Sequence, residues 1–390
     1  MRAGLALLCL AYVLSQFFRA FLAVLSGPLA DDIRMTPDDL AFASGLWFIA
    51  FAVMQLPVGW ALDRFGPRRT AAMLLLVGGG GGAALFALAT TPLHVKAAMA
   101  LIGVGCAPVL MASYYIFALQ FPPARFATLA ALMLGVGSVG NLVAAWPMAF
   151  AAETMGWRAA LWGLSSLSAI VAAGIYLLVR DPGRVIGEAP GSILDLLKMP
   201  ALWAILPLMF VAYAPGAALR GLWAGPYLLD VYALNTSQVG QATLVMGLAM
   251  IAGTLTYGPL DRIFQTRKWI IFTGSLTCAT ATLTLMIWPD KSLVLSVVLL
   301  AVIGFSGASF PVIIAHGKAF FPAHLAGRGV TLLNLFGIGG VGVAQFVSGP
   351  VHATAAQAGP LAGYTAIFAL FGFALLAGLV IYLFSHDSMA

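Results

Sequence analysis

Arg19, Arg220 and Lys318 interrupt long apolar stretches of this sequence. A charge surrounded by hydrocarbon costs about 2.5 to 3.5 kcal/mol even on mild scales, and is kept where it faces a wet cavity or a polar partner. Each is therefore a place where polar recognition is expected. Gln16 precedes Arg19 by three positions, which on one continuous helix directs amide and guanidinium to nearly the same face. Arg220 occupies a related position in the second half, and His316 stands two residues before Lys318, whose long stem can carry its ammonium to a membrane surface. Such groups suit a neutral or anionic solute held by charge-assisted hydrogen bonds. Tyr115 and Asn141, with Trp47 and Trp223, add amide and aromatic faces that suit a flat heteroaromatic molecule, although the same residue types also serve as ordinary helix packing. Gln16, Arg19, Tyr115, Asn141, Arg220 and His316 form the candidate solute-binding set.

A second chemistry competes with the first. Met246 and Met250 share one helix face at i and i+4, and thioethers are soft ligands for Cu(I); Cys278 would extend a sulfur path. Methionine is also common apolar filler, and the two intramembrane arginines would repel a bare cation. The acids are informative by their placement. Asp31, Asp32, Asp38, Asp39, Glu153, Asp230 and Asp290 fall at segment ends or loops, so no membrane-centre carboxylate offers a counter-ion for an organic cation. No nucleophile triad, metal-ligand cluster or phosphate loop argues for an enzyme, and no cofactor is implied.

The elements that must position these residues follow from composition. Of the 390 residues 62% are apolar by type and 8% charged, and the mean hydropathy is +1.01, more apolar matter than a soluble core can bury. A hydrocarbon slab about 30 Å thick takes about 20 residues of helix. The chain divides into twelve such segments: 5–30, 39–61, 70–91, 95–119, 126–150, 158–179, 201–229, 238–260, 269–288, 292–317, 329–350 and 362–384. The first reads as a retained span and not as a cleavable leader. Twelve Lys and Arg fall in loops on the side of the N-terminus and four on the other, which puts both termini in the cytoplasm by the positive-inside rule. The sequence pI near 9.4 then reflects topology, and nucleic-acid binding is not needed to explain it.

The two halves repeat. Gly27-Pro28 recurs as Gly225-Pro226, Leu62-Asp63-Arg64 as Leu260-Asp261-Arg262, and Phe121-Pro122 as Phe321-Pro322. We expect an all-α integral membrane protein of twelve transmembrane helices: an N-terminal six-helix bundle over 1–180, a cytoplasmic linker over 181–199 and a C-terminal six-helix bundle over 200–390. Between the second and third spans stands Gly59 followed by Asp63-Arg64, Gly66 and Arg68-Arg69; a shorter copy runs from Gly258 through Asp261-Arg262 to Arg267-Lys268. This loop resembles the signature loop of the major facilitator superfamily, at the position where that family carries it. The resemblance implies secondary transport by alternating access and a charge latch made by Asp63, Arg64, Arg68, Arg69, Asp261 and Arg262. Read physically, Asp63 can accept hydrogen bonds from the exposed amides of a helix N-terminus.

A narrower likeness is carried by Gly103-Val-Gly-Cys-Ala-Pro-Val-Leu-Met-Ala-Ser-Tyr-Tyr115, and by Gly137-Ser-Val-Gly-Asn-Leu142 through Gly156-Trp-Arg158. These look like a proteobacterial branch that holds RfnT-like riboflavin importers and CcoA-like copper importers. Copper members carry an M-x-x-x-M and an H-x-x-x-M pair; this chain has the first as Met246 and Met250, and none of its five histidines begins the second. The resemblance therefore implies import of riboflavin or a related heteroaromatic vitamin, with copper as the alternative and an organic anion or drug behind both. It also implies a bacterial inner-membrane protein that works as a monomer, with the solute and the lipid bilayer as its partners.

Overall fold

The structure, a computed structural model, describes residues 2–121, 123–182, 196–321 and 326–388. The described residues contain no strand. Ten helices are long and apolar enough to cross a membrane, and two bent pairs bring the number of spans to twelve. In chain order they are α1 (Ala3–Phe17, then Phe21–Ile33), α2 (Pro37–Leu62), α3 (Pro67–Ala87), α4 (Pro92–Phe117), α5 (Leu132–Val143, then Trp146–Met155), α6 (Trp157–Leu178), α7 (Pro200–Tyr232), α8 (Thr236–Phe264), α9 (Lys268–Ile287), α10 (Leu293–Lys318), α11 (Gly329–Ala358) and α12 (Leu361–Tyr382). Outward-facing apolar side chains such as Leu177, Leu255 and Val294 are exposed by about three quarters, as a lipid-facing surface requires.

Proline decides where several spans lose regularity. Its ring clashes with the carbonyl four residues back and it donates no N–H. α5 breaks after Val143, four before Pro147, and bends by 40°. α7 breaks after Trp203, four before Pro207, and α10 after Gly307, four before Pro311. Pro57, Pro108, Pro259 and Pro350 stay inside unbroken helices. The break in α1 has no such cause and corrects the continuous first span read from sequence. Its α-helix ends at Phe17, Ala20 N–H bonds the Phe17 carbonyl three residues back, and the chain turns by 51°. Phe17, Phe18 and Phe21 pack on one another across the turn, at centroid distances of 5.6 to 5.9 Å. Two stretches widen to π-helix, Leu75–Gly80 in α3 and Leu219–Trp223 in α7.

The chain separates into two compact units, Met1–Ile186 with Asn235–Gln241 and Gly187–Leu234 with Ala242–Ala390. In the first, a capping box starts α2: Thr36 Oγ1 accepts the Asp39 amide and Asp39 accepts the Thr36 amide, while Lys96 at the start of α4 donates to the same carboxylate at 2.7 Å. Asp32 accepts from the Trp157 indole and the Arg158 guanidinium, tying α1 to α6. Ser237 belongs with this unit, since it receives the Trp146 indole N–H and gives its own amide to Glu153. α5 lies on α1 so closely that a β-carbon at Gly140 would strike the Val13 carbonyl. The second unit repeats the contact, with Gly340 of α11 against the Phe210 carbonyl of α7.

Candidate functional site

In the first unit the polar interior gathers on α1, α2 and α5. Because the α-helix stops at Phe17, the one-face geometry expected for Gln16 and Arg19 does not hold: Arg19 sits in the turn itself. Its guanidinium carbon lies 5.2 Å from the Trp47 ring and 5.4 Å from Phe51, and those rings stack on each other at 5.2 Å. Such cation–π contact offsets part of the loss of hydration. Arg19 Nε and Trp47 Nε1 are buried with no hydrogen-bond partner among the described residues. Gln16 donates to Tyr12 at 2.9 Å, and its carbonyl oxygen and that of Asn141 are likewise buried and unpartnered. Two donors at a pair of stacked rings, with two acceptors on α1 and α5, are groups that can bind a planar polar solute.

In the second unit Arg220 is 3% exposed and lies within the π segment of α7. It falls three residues, nearly one turn, past Ala217, the counterpart of Arg19 by the 198-residue repeat, so the two arginines are not equivalent. Trp223, the next turn, donates to Ser348 on α11 at 2.9 Å. Gln345, one turn before Ser348, is fully buried, and neither amide atom has a partner among the described residues. Sequence reasoning missed it. The signal was available, since a glutamine inside an apolar span is as anomalous as an arginine, but the absence of charge hid it.

The other predicted residues are placed as follows. His316 is buried, bonded to the Tyr382 hydroxyl at 2.7 Å and the His386 carbonyl at 2.8 Å, which joins α10 to the segment after α12. Lys318 is exposed. Tyr115 lines a cavity of about 230 Å³ with Phe65, Gly66, Arg68 and Asp181 at the α2–α3 loop. Met246 and Met250 both face Gly304 of α10, where a β-carbon would lie 3.1 and 3.0 Å from their Cγ atoms, and the Cys278 thiol points at the Ile303 carbonyl. Among the described residues no three His, Cys, Asp or Glu side chains group to hold a metal.

At the signature loop the Asp63 side chain is outside the described residues. The carboxylate that meets the first turn of α3 is Asp181, just beyond α6: it accepts the Arg68 amide at 2.8 Å, and Arg68 Nε approaches it at 3.5 Å. Gly66 turns with φ of 86°, and a side chain there would collide with this carboxylate at 2.8 Å. Arg64 lies over the Trp60 ring at 5.4 Å, and Arg69 and Arg262 are exposed. In the second unit Asp387, just beyond α12, does the same for α9. It accepts from Thr266 Oγ1 and from the Arg267 and Lys268 amides, and Asp261 pairs with Arg267 at 3.3 Å. Burial alone raises the Asp387 carboxyl, but these hydrogen bonds and the nearby His316 hold it below its ordinary range.

A multi-pass helical membrane protein whose interior keeps unsatisfied polar groups within apolar spans is built to pass a solute through a bilayer, and the comparisons agree. The Major Facilitator Superfamily model matches residues 8–344, and the chain belongs to that family. It is 23% identical over 334 residues to the metabolite transport protein NicT of Pseudomonas putida, covering 76% of this chain and 74% of that one. A 24% identical stretch of 172 residues matches the transporter YybO of Bacillus subtilis, 44% of this chain and 39% of the relative's length. Among solved structures, the D-xylose–proton symporter has the same fold, with a TM-score of 0.80 at 16% identity over 98% of both chains. The protein is a multi-pass secondary transporter of the major facilitator type, not an enzyme.

Proposed function

We propose that the protein imports riboflavin or a related heteroaromatic vitamin by alternating access. The observation that carries this reading is the Arg19–Trp47–Phe51 stack with buried, unpartnered polar atoms on Arg19, Trp47, Gln16 and Asn141. Stacked rings take a flat π-system, and the surrounding donors and acceptors read its polar edge. The name of NicT, a metabolite transport protein, is in keeping with a small metabolite as cargo. We place both termini in the cytoplasm on the Lys and Arg bias of the loops, and, on the family resemblance, the protein in the bacterial inner membrane as a monomer.

A second reading, copper import, draws on one observation: Met246 and Met250 converge on Gly304, with Cys278 at the neighbouring Ile303. One experiment separates the two. Cells without their own carriers express wild type, Arg19→Ala or the Met246→Leu, Met250→Leu pair at matched levels, and labelled riboflavin and copper uptake are measured in parallel. Flavin uptake by wild type, lost in Arg19→Ala and kept in the methionine pair, is expected. Copper uptake that collapses only in the methionine pair, with no flavin uptake by wild type, overturns the leading reading.

A further inference from the structure

A separate cluster in the second unit bears on what drives accumulation of the solute proposed above. His352 of α11 is 7% exposed inside a membrane span. Its ring lies 4.9 Å from Trp223 of α7 and 4.8 Å from Tyr364 of α12, centroid to centroid. It is held so tightly that a β-carbon at Gly363 would come within 2.7 Å of Cδ2. Tyr364 in turn donates its hydroxyl to Asp230, which is exposed at the far end of α7. An exposed carboxylate, a buried phenol and a buried imidazole thus adjoin one another in order.

Helices α7, α11 and α12 meet at this imidazole. α7 contributes Trp223 to the ring contact and Asp230 by way of Tyr364, and Arg220 lies three residues before Trp223 on the same helix; Tyr227, also of α7, packs on Tyr364 at 5.5 Å and bonds Ser296 of α10. The remaining described histidines are otherwise placed: His94 is exposed among Thr90 and Thr91, His316 has both ring nitrogens engaged, and His386 lies beyond α12. Among the described residues no Asp or Glu side chain lies in the middle of a span to carry a proton. Histidine is the side chain whose ordinary titration falls in the physiological range, and a charged imidazole in an apolar span needs a counter-charge such as the one Asp230 supplies.

We propose that His352 is the group on which this transporter binds and releases a proton, taken up from the Asp230 side, and that this proton is coupled to solute movement. The step is a proton transfer only: a proton from water binds the lone pair of a ring nitrogen to give imidazolium, and the same proton later leaves to water.

In proteoliposomes with riboflavin as the probe, wild type is expected to accumulate solute under an imposed pH gradient and to lose this with a protonophore. His352→Asn should reduce gradient-driven accumulation by about tenfold or more, and riboflavin counterflow, which needs no net proton movement, by far less. Accumulation by wild type that ignores the gradient, His352→Asn accumulating like wild type, or equal loss of both activities overturns the proposal. A second measurement needs no solute. Imidazolium quenches an indole packed against it, so Trp223 emission, taken as wild type minus Trp223→Phe, should step between about pH 5 and 8 and lose the step in His352→Asn. If wild type moves no riboflavin the substrate reading fails by itself, and the emission decides: no step, or one that survives His352→Asn, overturns the proton site.

Discussion

Arg19 is the most conspicuous charge in the sequence and sits in its least expected backbone. Its importance was legible from a single charge in an apolar stretch, but its geometry was not: no proline or glycine marks the turn at residues 18–20, and the chain departs from the helix where three phenylalanines pack on one another. If the Trp47 platform reads a polar solute, Arg19→Ala removes charge-assisted hydrogen bonds of about 1.5 to 3 kcal/mol, which is about 10- to 150-fold in affinity by equilibrium binding of riboflavin to purified protein. Arg19→Lys should recover only part, because an ammonium neither stacks on the indole nor forks to two acceptors. Gln345 and His352 went unread for a common reason. Each is a polar residue inside an apolar span without the fixed charge that makes an arginine conspicuous. A buried amide without partners costs about 1 to 3 kcal/mol, so Gln345→Leu should raise thermal stability in detergent, while riboflavin affinity falls if the amide touches the solute.

At the scale of elements, several boundaries follow from proline alone: the breaks after Val143, Trp203 and Gly307 each precede a proline by four residues. Pro147→Ala should therefore restore an i to i−4 bond and straighten α5, measured as a smaller spin-label distance change between positions either side of residue 145 relative to wild type. The glycine contacts test packing. Gly140→Val drives two methyl groups into the Val13 carbonyl, and overpacking of this kind costs about 1 to 3 kcal/mol, to be seen as a lower melting temperature in detergent. Capping was harder to foresee. Asp181 caps the first turn of α3 from 113 residues beyond Arg68, and no local pattern announces so distant a cap. The corresponding Asp387 gives a pH test. Because its folded-state value is lowered, its contribution is complete above the ordinary carboxylate range and is lost as pH falls through that lowered value. Asp387→Asn should flatten the acid limb of the stability profile and destabilise the protein by about 1 kcal/mol near neutrality.

For the whole molecule, the twelve spans and the repeat were readable because lipid imposes length and composition on every segment. What lay beyond reach was which side chains the tertiary fold would leave buried without partners. The charge bias makes one prediction at this scale: cysteines at Gln120 and Gln265 should react with impermeant reagents added to inverted vesicles, and those at Thr91 and Lys291 with reagents added to intact cells. The opposite pattern would reverse the orientation. Asp181 and Asp387 carry a last consequence. Each fastens the chain that leaves the final helix of its half onto that half's own second-to-third-helix loop, so each half is drawn shut by its own residues. The transporter should therefore tolerate being made as two polypeptides, 1–182 and 196–390, and co-expression of the pair should restore solute uptake that neither piece supports by itself.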